Sequence, residues 1–145
     1  MGRWTDLEGV GIIQKMAEAQ TTIKKILLVE DEPMLGNLLK QRLEKENYEV
    51  VQARDGAEAV KLLKQENVDL VLLDIILPKM SGFEVMEAIN SDPSIHSAPI
   101  VIISNLGQET DVERGQQLGA VGYFIKAQLS IEELISKIKE FFVSK

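Results

Sequence analysis

The chain has 145 residues, room for one domain and a short appendage at roughly 100–200 residues per domain, which leaves no space for a repeat array or a multidomain enzyme. With 45% hydrophobic and 27% charged residues a self-sufficient core is expected, and the net charge of -7 has the wrong sign for attraction to nucleic-acid phosphates or anionic lipid. The absence of cysteine and the single His96 exclude disulfides, thiolate chemistry and histidine cages, so any metal must be held by oxygen.

Along the chain, residues 1–22 are read as an N-terminal extension and residues 23–145 as the domain. Val10, Ile13, Met16, Ala17 and Gln20 are compatible with a short amphipathic helix, which Gly2, Gly9 and Gly11 weaken. A docking helix, the end of an upstream sensor or linker, and a cloning remnant all remain open for this segment. It lacks the apolar run of a secretory signal, and no stretch approaches the ~18 apolar residues of a membrane span. A cytoplasmic protein without membrane insertion is expected.

From Lys24 onward, short apolar runs alternate with segments at helical spacing, the pattern of repeated βα units. Strands are predicted at Ile26–Val29, Glu49–Ala53, Leu70–Asp74, Ile100–Ser104 and Gly122–Ile125, mostly continuous in apolar residues, as a parallel sheet covered on both faces requires. Helices intervene. Leu35, Leu38, Leu39 and Leu43 share a face of the first, Ala59, Val60 and Leu63 of the second, and Phe83, Met86 and Ile89 of the third. The fourth, about Glu109–Leu118, is poor in apolar residues and contains Gly115; a movable element and a well-solvated surface helix are both compatible with it. The last carries Ile131, Leu134, Ile135, Ile138 and Phe141 or Phe142. Ser81 with Glu84 and Ser130 with Glu133 form capping boxes before the third and fifth helices.

Five such units predict an open, doubly wound α/β sheet, whose ligands bind at the carboxyl ends of the strands. At those ends stand Glu30 and Asp31, then Asp74, Ser104 and Lys126. Two carboxylates ~4 Å apart repel by ~4 kcal/mol at an effective dielectric of ~20, so three stay ionised together only with cations among them. Lys126 supplies one positive charge and Mg²⁺, a hard ion that keeps waters and binds phosphate, would supply two more. Carboxylates, Mg²⁺, a hydroxyl and an ammonium suit phosphoryl transfer, with Asp74, at the central strand's end, as the nucleophile.

These residues lie in four ordered blocks: Ile26-Leu27-Leu28-Val29-Glu30-Asp31-Glu32-Pro33, Asp69 through Gly82, Pro99 through Ser104, and Gly122-Tyr123-Phe124-Ile125-Lys126. In this the chain resembles the receiver domains of two-component response regulators, over about Lys24–Lys145. The resemblance implies a flavodoxin-like fold of strand order 2-1-3-4-5 with five helices. It also implies that Asp74 accepts a phosphoryl group from a histidine kinase or a histidine phosphotransfer domain. Asp31 would bind Mg²⁺ directly, Glu30 through a bound water, Asp74 as acceptor and ligand, and Ile76 through its backbone carbonyl. Ser104 and Lys126 would contact the phosphoryl oxygens, and Tyr123 would change rotamer as Ser104 moves. The face of the fourth helix, fifth strand and fifth helix would then control a protein effector, the chain acting as a monomer or a phosphorylation-dependent dimer. Such a protein is a signalling phosphoacceptor, not an enzyme, and catalyses only its own phosphotransfer and slow autodephosphorylation. With the domain reaching Lys145, no output domain is expected, and direct nucleic-acid binding is not.

Three departures from the family pattern carry expectations. Ala127 replaces the usual proline, so the bond after Lys126 should be trans and the following loop differently shaped. Asn105 replaces a small residue and should narrow access to the pocket. Ile76 and Leu106 are apolar where relatives guide or block water, which predicts slow loss of the phosphoryl group. The alternative reading is a phosphorylation-independent, receiver-like interaction module. A phosphatase would need a second acid two residues after Asp74, where Ile76 stands, and a flavodoxin-type carrier would need a phosphate loop where Glu30-Asp31-Glu32 stands.

Overall fold

A computed structural model describes residues 23–143. The predicted N-terminal extension lies outside the described residues. Strands β1 (Lys25–Val29), β2 (Glu49–Ala53), β3 (Leu70–Leu73), β4 (Ile100–Ser104) and β5 (Gly122–Ile125) alternate with helices α1 (Pro33–Lys45), α2 (Gly56–Gln65), α3 (Gly82–Ser91), α4 (Glu109–Gln117) and α5 (Ile131–Val143). All pairings are parallel, in the order β2-β1-β3-β4-β5. The doubly wound sheet and its strand order are as expected.

Side chains alternate across the sheet, and this sorts the core into two layers. Leu27, Val29, Val71, Leu73 and Ile102 face one way, onto Ala59 and Leu63 of α2 and Phe83, Val85 and Met86 of α3. Ile26, Leu28, Leu70, Leu72, Val101 and Ile103 face the other, onto Leu39 and Leu43 of α1 and Leu134, Ile135 and Ile138 of α5. Burial on both faces is why the central strands read as unbroken apolar runs. Each fully buried leucine or isoleucine contributes about 1.5–3 kcal/mol.

Two predicted positions shift. Leu38 is 41% exposed because Gly36, Leu39 and Leu43 form the inner stripe of α1. Asp74 lies just past β3: its N–H still bonds to Val29 O at 3.1 Å, but its side chain belongs to the rim. Both capping boxes form, Ser81 Oγ accepting from Glu84 N–H at 3.2 Å and Ser130 Oγ from Glu133 N–H at 3.1 Å. After β5 the chain enters a 3₁₀ turn, Lys126–Gln128, with no cis peptide bond among the described residues.

No helix among the described residues is long and apolar enough to cross a membrane.

Candidate functional site

Strand register places the polar residues. Val29 pairs with Leu73 and Ser104 with Ile125, so Glu30, Asp74, Ser104 and Lys126 emerge together at the carboxyl rim. Among the described residues the buried polar or charged ones are Glu30, Asp74 and Ser104, at 6%, 4% and 0% exposure. Burying a polar group without a partner costs several kcal/mol, about 2–7 depending on reference, so three at one rim point to a built site.

Their partners are in place. Lys126 Nζ lies 2.6 Å from Asp74 Oδ2, 2.7 Å from Glu30 Oε1 and 3.4 Å from Glu32 Oε1. Ile76 N–H donates to Asp74 Oδ1 at 3.2 Å, and Glu32 N–H to Glu30 Oε2 at 3.1 Å. Ser104 Oγ accepts from Leu106 N–H at 3.3 Å, and the Tyr123 hydroxyl donates to the Leu106 carbonyl. Accepting uses a lone pair of Ser104 and leaves its O–H proton to donate.

Burial opposes the charge of Lys126, but hydrogen bonds to Asp74 and Glu30 outweigh it and hold the ammonium above the usual lysine range. Burial pushes the Glu30 carboxyl up, with the Lys126 hydrogen bond pulling it partly back. Burial, followed by the charges of Asp111 and Asp74, pushes Tyr123 up to about 12, so its hydroxyl stays a donor at neutral pH.

Glu30, Asp31 and Asp74 bring carboxylate oxygens within 4.8 Å of one another, with Asp31 the most exposed. Hard oxygen donors at this separation fit a Mg²⁺-sized divalent ion. The mouth is a small hollow lined by Asp31, Glu32, Asp74, Ile76, Asn105 and Lys126. A larger hollow at the opposite, amino end of the sheet is lined by Lys24, Asp69, His96 and Phe142, and there no trio of acids converges. His96 is an exposed loop residue, as its sequence position implied.

Glu30, Asp31, Asp74, Ile76, Ser104 and Lys126 stand at this rim, whereas Tyr123 lies within β5 opposite Ile102 and reaches the loop after Ser104 through its hydroxyl. Sequence reasoning missed two contacts. Glu32 joins the Lys126 ion pairs, for which its place in the Glu30-Asp31-Glu32 run was the signal. Asn105, which lines the mouth, also accepts the Ala127 N–H through Oδ1 at 2.9 Å, and no pattern within the chain marks a pair 22 residues apart.

Residues 26–139 match a family model described as the response regulator receiver domain. Among curated relatives, the protein PilH of Pseudomonas aeruginosa is 35% identical over 102 residues, covering 70% of this chain and 84% of PilH. The probable transcriptional regulator ycf27 of Guillardia theta is 39% identical over 118 residues, 81% of this chain but 45% of that protein. The chain thus spans about half the length of several relatives that it matches. Among solved structures, the phosphorylated cyanobacterial phytochrome response regulator RcpA superposes with a TM-score of 0.73 at 34% identity, covering 85% of this chain and 96% of RcpA. The Mn²⁺-bound form of response regulator Rcp1 gives 0.73 at 29% identity, covering 83% and 94%.

Proposed function

Because the chain belongs to the response regulator receiver domain family, whose members are signalling proteins, we propose that it takes a phosphoryl group on Asp74 from a histidine kinase or histidine phosphotransfer domain and relays its state to a protein partner. The observation that carries this reading is the confinement of the buried polar residues Glu30, Asp74 and Ser104 to one rim, beside Lys126.

In the transfer, an Asp74 carboxylate oxygen attacks phosphorus in line with the leaving group. The new O–P bond forms as the P–N bond of the phosphohistidine breaks, and the imidazole leaves with the electron pair and takes a proton. Asp31 and Asp74 would hold Mg²⁺ directly, Glu30 through water and Ile76 through its carbonyl; bound there, the ion neutralises charge on the phosphoryl oxygens. Lys126 compensates a further oxygen and Ser104 donates its O–H to another. The acceptor thereby exchanges one negative charge for ≈ −1.5 to −2 and gains hydrogen-bond acceptors, which biases Ser104, its loop and Tyr123. Tyr123 lies on β5 between α4 and α5, so we place the output on the α4–β5–α5 face. The net charge of -7 favours a protein effector over direct nucleic-acid contact, and we assign the receiver to residues 23–145, outside the 1–22 extension.

The test is intact mass after incubation with acetyl phosphate and Mg²⁺. One phosphoryl adduct is expected on the unaltered chain and none on Asp74→Asn or in chelator. An unmodified chain would overturn the reading in favour of a phosphorylation-independent interaction module.

A further inference from the structure

Lys126 opens a 3₁₀ turn, Lys126–Gln128, whose first N–H groups have no partner within the turn. One of them, Ala127 N–H, is satisfied from outside. It donates at 2.9 Å to Oδ1 of Asn105, which immediately follows Ser104 at the end of β4. A backbone N–H can only donate, so the amide oxygen is the atom that faces it. Both residues are exposed, and the bond is the direct link between the loop that carries Ser104 and the turn that carries Lys126.

The same loop is fastened at two more points, by Leu106 N–H on Ser104 Oγ and by the Tyr123 hydroxyl on the Leu106 carbonyl. Lys126 is therefore anchored on both sides. The β5 ladder holds the chain before it, where Ile125 pairs with Ser104, and Asn105 holds it behind. A lysine stem is flexible, so fixing the backbone at its root narrows the positions that the ammonium can take over the two buried carboxylates. Proline at 127 would have no N–H to give, so the contact exists because residue 127 keeps its donor.

We propose that Asn105 is a positioning residue: by accepting the Ala127 N–H it fixes the turn behind Lys126, holds the ammonium on Asp74, and couples the Ser104 loop to Lys126. The role in transfer rests on Asp74 being the phosphoacceptor, whereas the clamp itself does not.

Two variants of near-equal shape separate the possibilities, Asn105→Leu without the acceptor and Asn105→Asp with it. Amide hydrogen exchange is read at Ala127, with Leu72 and Ile102 in the sheet as references for intact folding. Exchange at Ala127 should quicken about fivefold in Asn105→Leu, the worth of one hydrogen bond, and stay near the unaltered rate in Asn105→Asp. Phosphoryl uptake by Asn105→Leu should slow by about the same factor with acetyl phosphate and with the smaller phosphoramidate, because a misplaced Lys126 affects both donors alike. Unchanged exchange at Ala127 in Asn105→Leu overturns the clamp. Unchanged uptake, or a change that depends on donor size, overturns the positioning role and leaves Asn105 as a gate at the mouth. If the unaltered chain takes up no phosphoryl group from either donor, the phosphoacceptor reading and the transfer role fall together, while exchange at Ala127 still decides the clamp.

Discussion

Lys126 pairs with Glu30, Glu32 and Asp74, whereas Asp31 contributes its oxygen to the acidic cluster outside that set of pairs. One ammonium cannot balance this many carboxylates, so Asp31 brings repulsion that a divalent ion would relieve. Asp31→Asn keeps the shape and removes the charge. It should stabilise the metal-free protein by about 1 kcal/mol, a rise in Tm of roughly 3–5 °C. The same variant should lose most of the further rise that Mg²⁺ gives the unaltered chain, because stabilisation by a ligand follows its affinity for the folded state. Calorimetry in chelator and in Mg²⁺ reads both, and an unchanged Tm in chelator would show that Asp31 is not repelled. Ile76, 60% exposed, presents carbon at the same mouth where a polar group would orient water, whereas Leu106 packs against the core layer beneath α2 and α3. Decay of the phosphorylated protein should accordingly take minutes or longer without a phosphatase, and a half-life of seconds would refute this. Asp74, Glu30 and Ser104 were legible in the sequence because each is a polar residue that ends an apolar run. The Asn105–Ala127 bond was not, because only the pairing of β4 with β5 brings those two loops together.

Helices α3 and α4 each meet the site through a glycine, with opposite consequences. A Cβ on Gly82 would lie 2.3 Å from the Asp74 carbonyl oxygen and 2.8 Å from Ile75 Cα, so the start of α3 presses on the backbone that presents the acceptor. Backbone cannot step aside cheaply. Gly82→Ala should cost about 2–3 kcal/mol in urea denaturation and slow phosphoryl uptake as well. A Cβ on Gly115 would instead meet the tip of Ile102 at 2.8 Å and the Tyr123 ring at 3.2 Å, both movable side chains. There the helix-propensity gain of ~1 kcal/mol offsets the crowding, so Gly115→Ala should change stability by less than about 1 kcal/mol. A Gly82→Ala variant as stable as Gly115→Ala would contradict the contrast. In the sequence Gly115 read only as a weak point of the fourth helix; folded, it is the buried residue of α4 and the place where Tyr123 packs. The helix is otherwise held to α3 by Arg114 over the Phe83 ring at 4.5 Å, by the Arg114–Glu87 ion pair and by Asn90 Nδ2 donating to the Leu118 carbonyl at 2.9 Å.

At the scale of the molecule, α1 and α5 cover one face of the sheet and α2 to α4 the other, all within residues 23–143. Removing residues 1–22 should leave a chain that melts cooperatively and still takes up one phosphoryl group with Mg²⁺. A broad, uncooperative melt of the shortened protein would show that the core needs that segment. What the sequence determined by itself is the order and type of the elements, since the periods of strand and helix and the capping residues are local properties. It also determined the identity of the rim residues, because a doubly wound sheet collects strand ends at one edge whatever fills its core. The tertiary structure alone decided which of those groups touch, that Lys126 spans Glu30 and Asp74, that Leu38 turns outward, and that Asn105 holds Ala127. Those are distances between segments up to 96 residues apart in the chain, from Glu30 to Lys126, and they follow from strand register and from packing against helices, which no local pattern encodes.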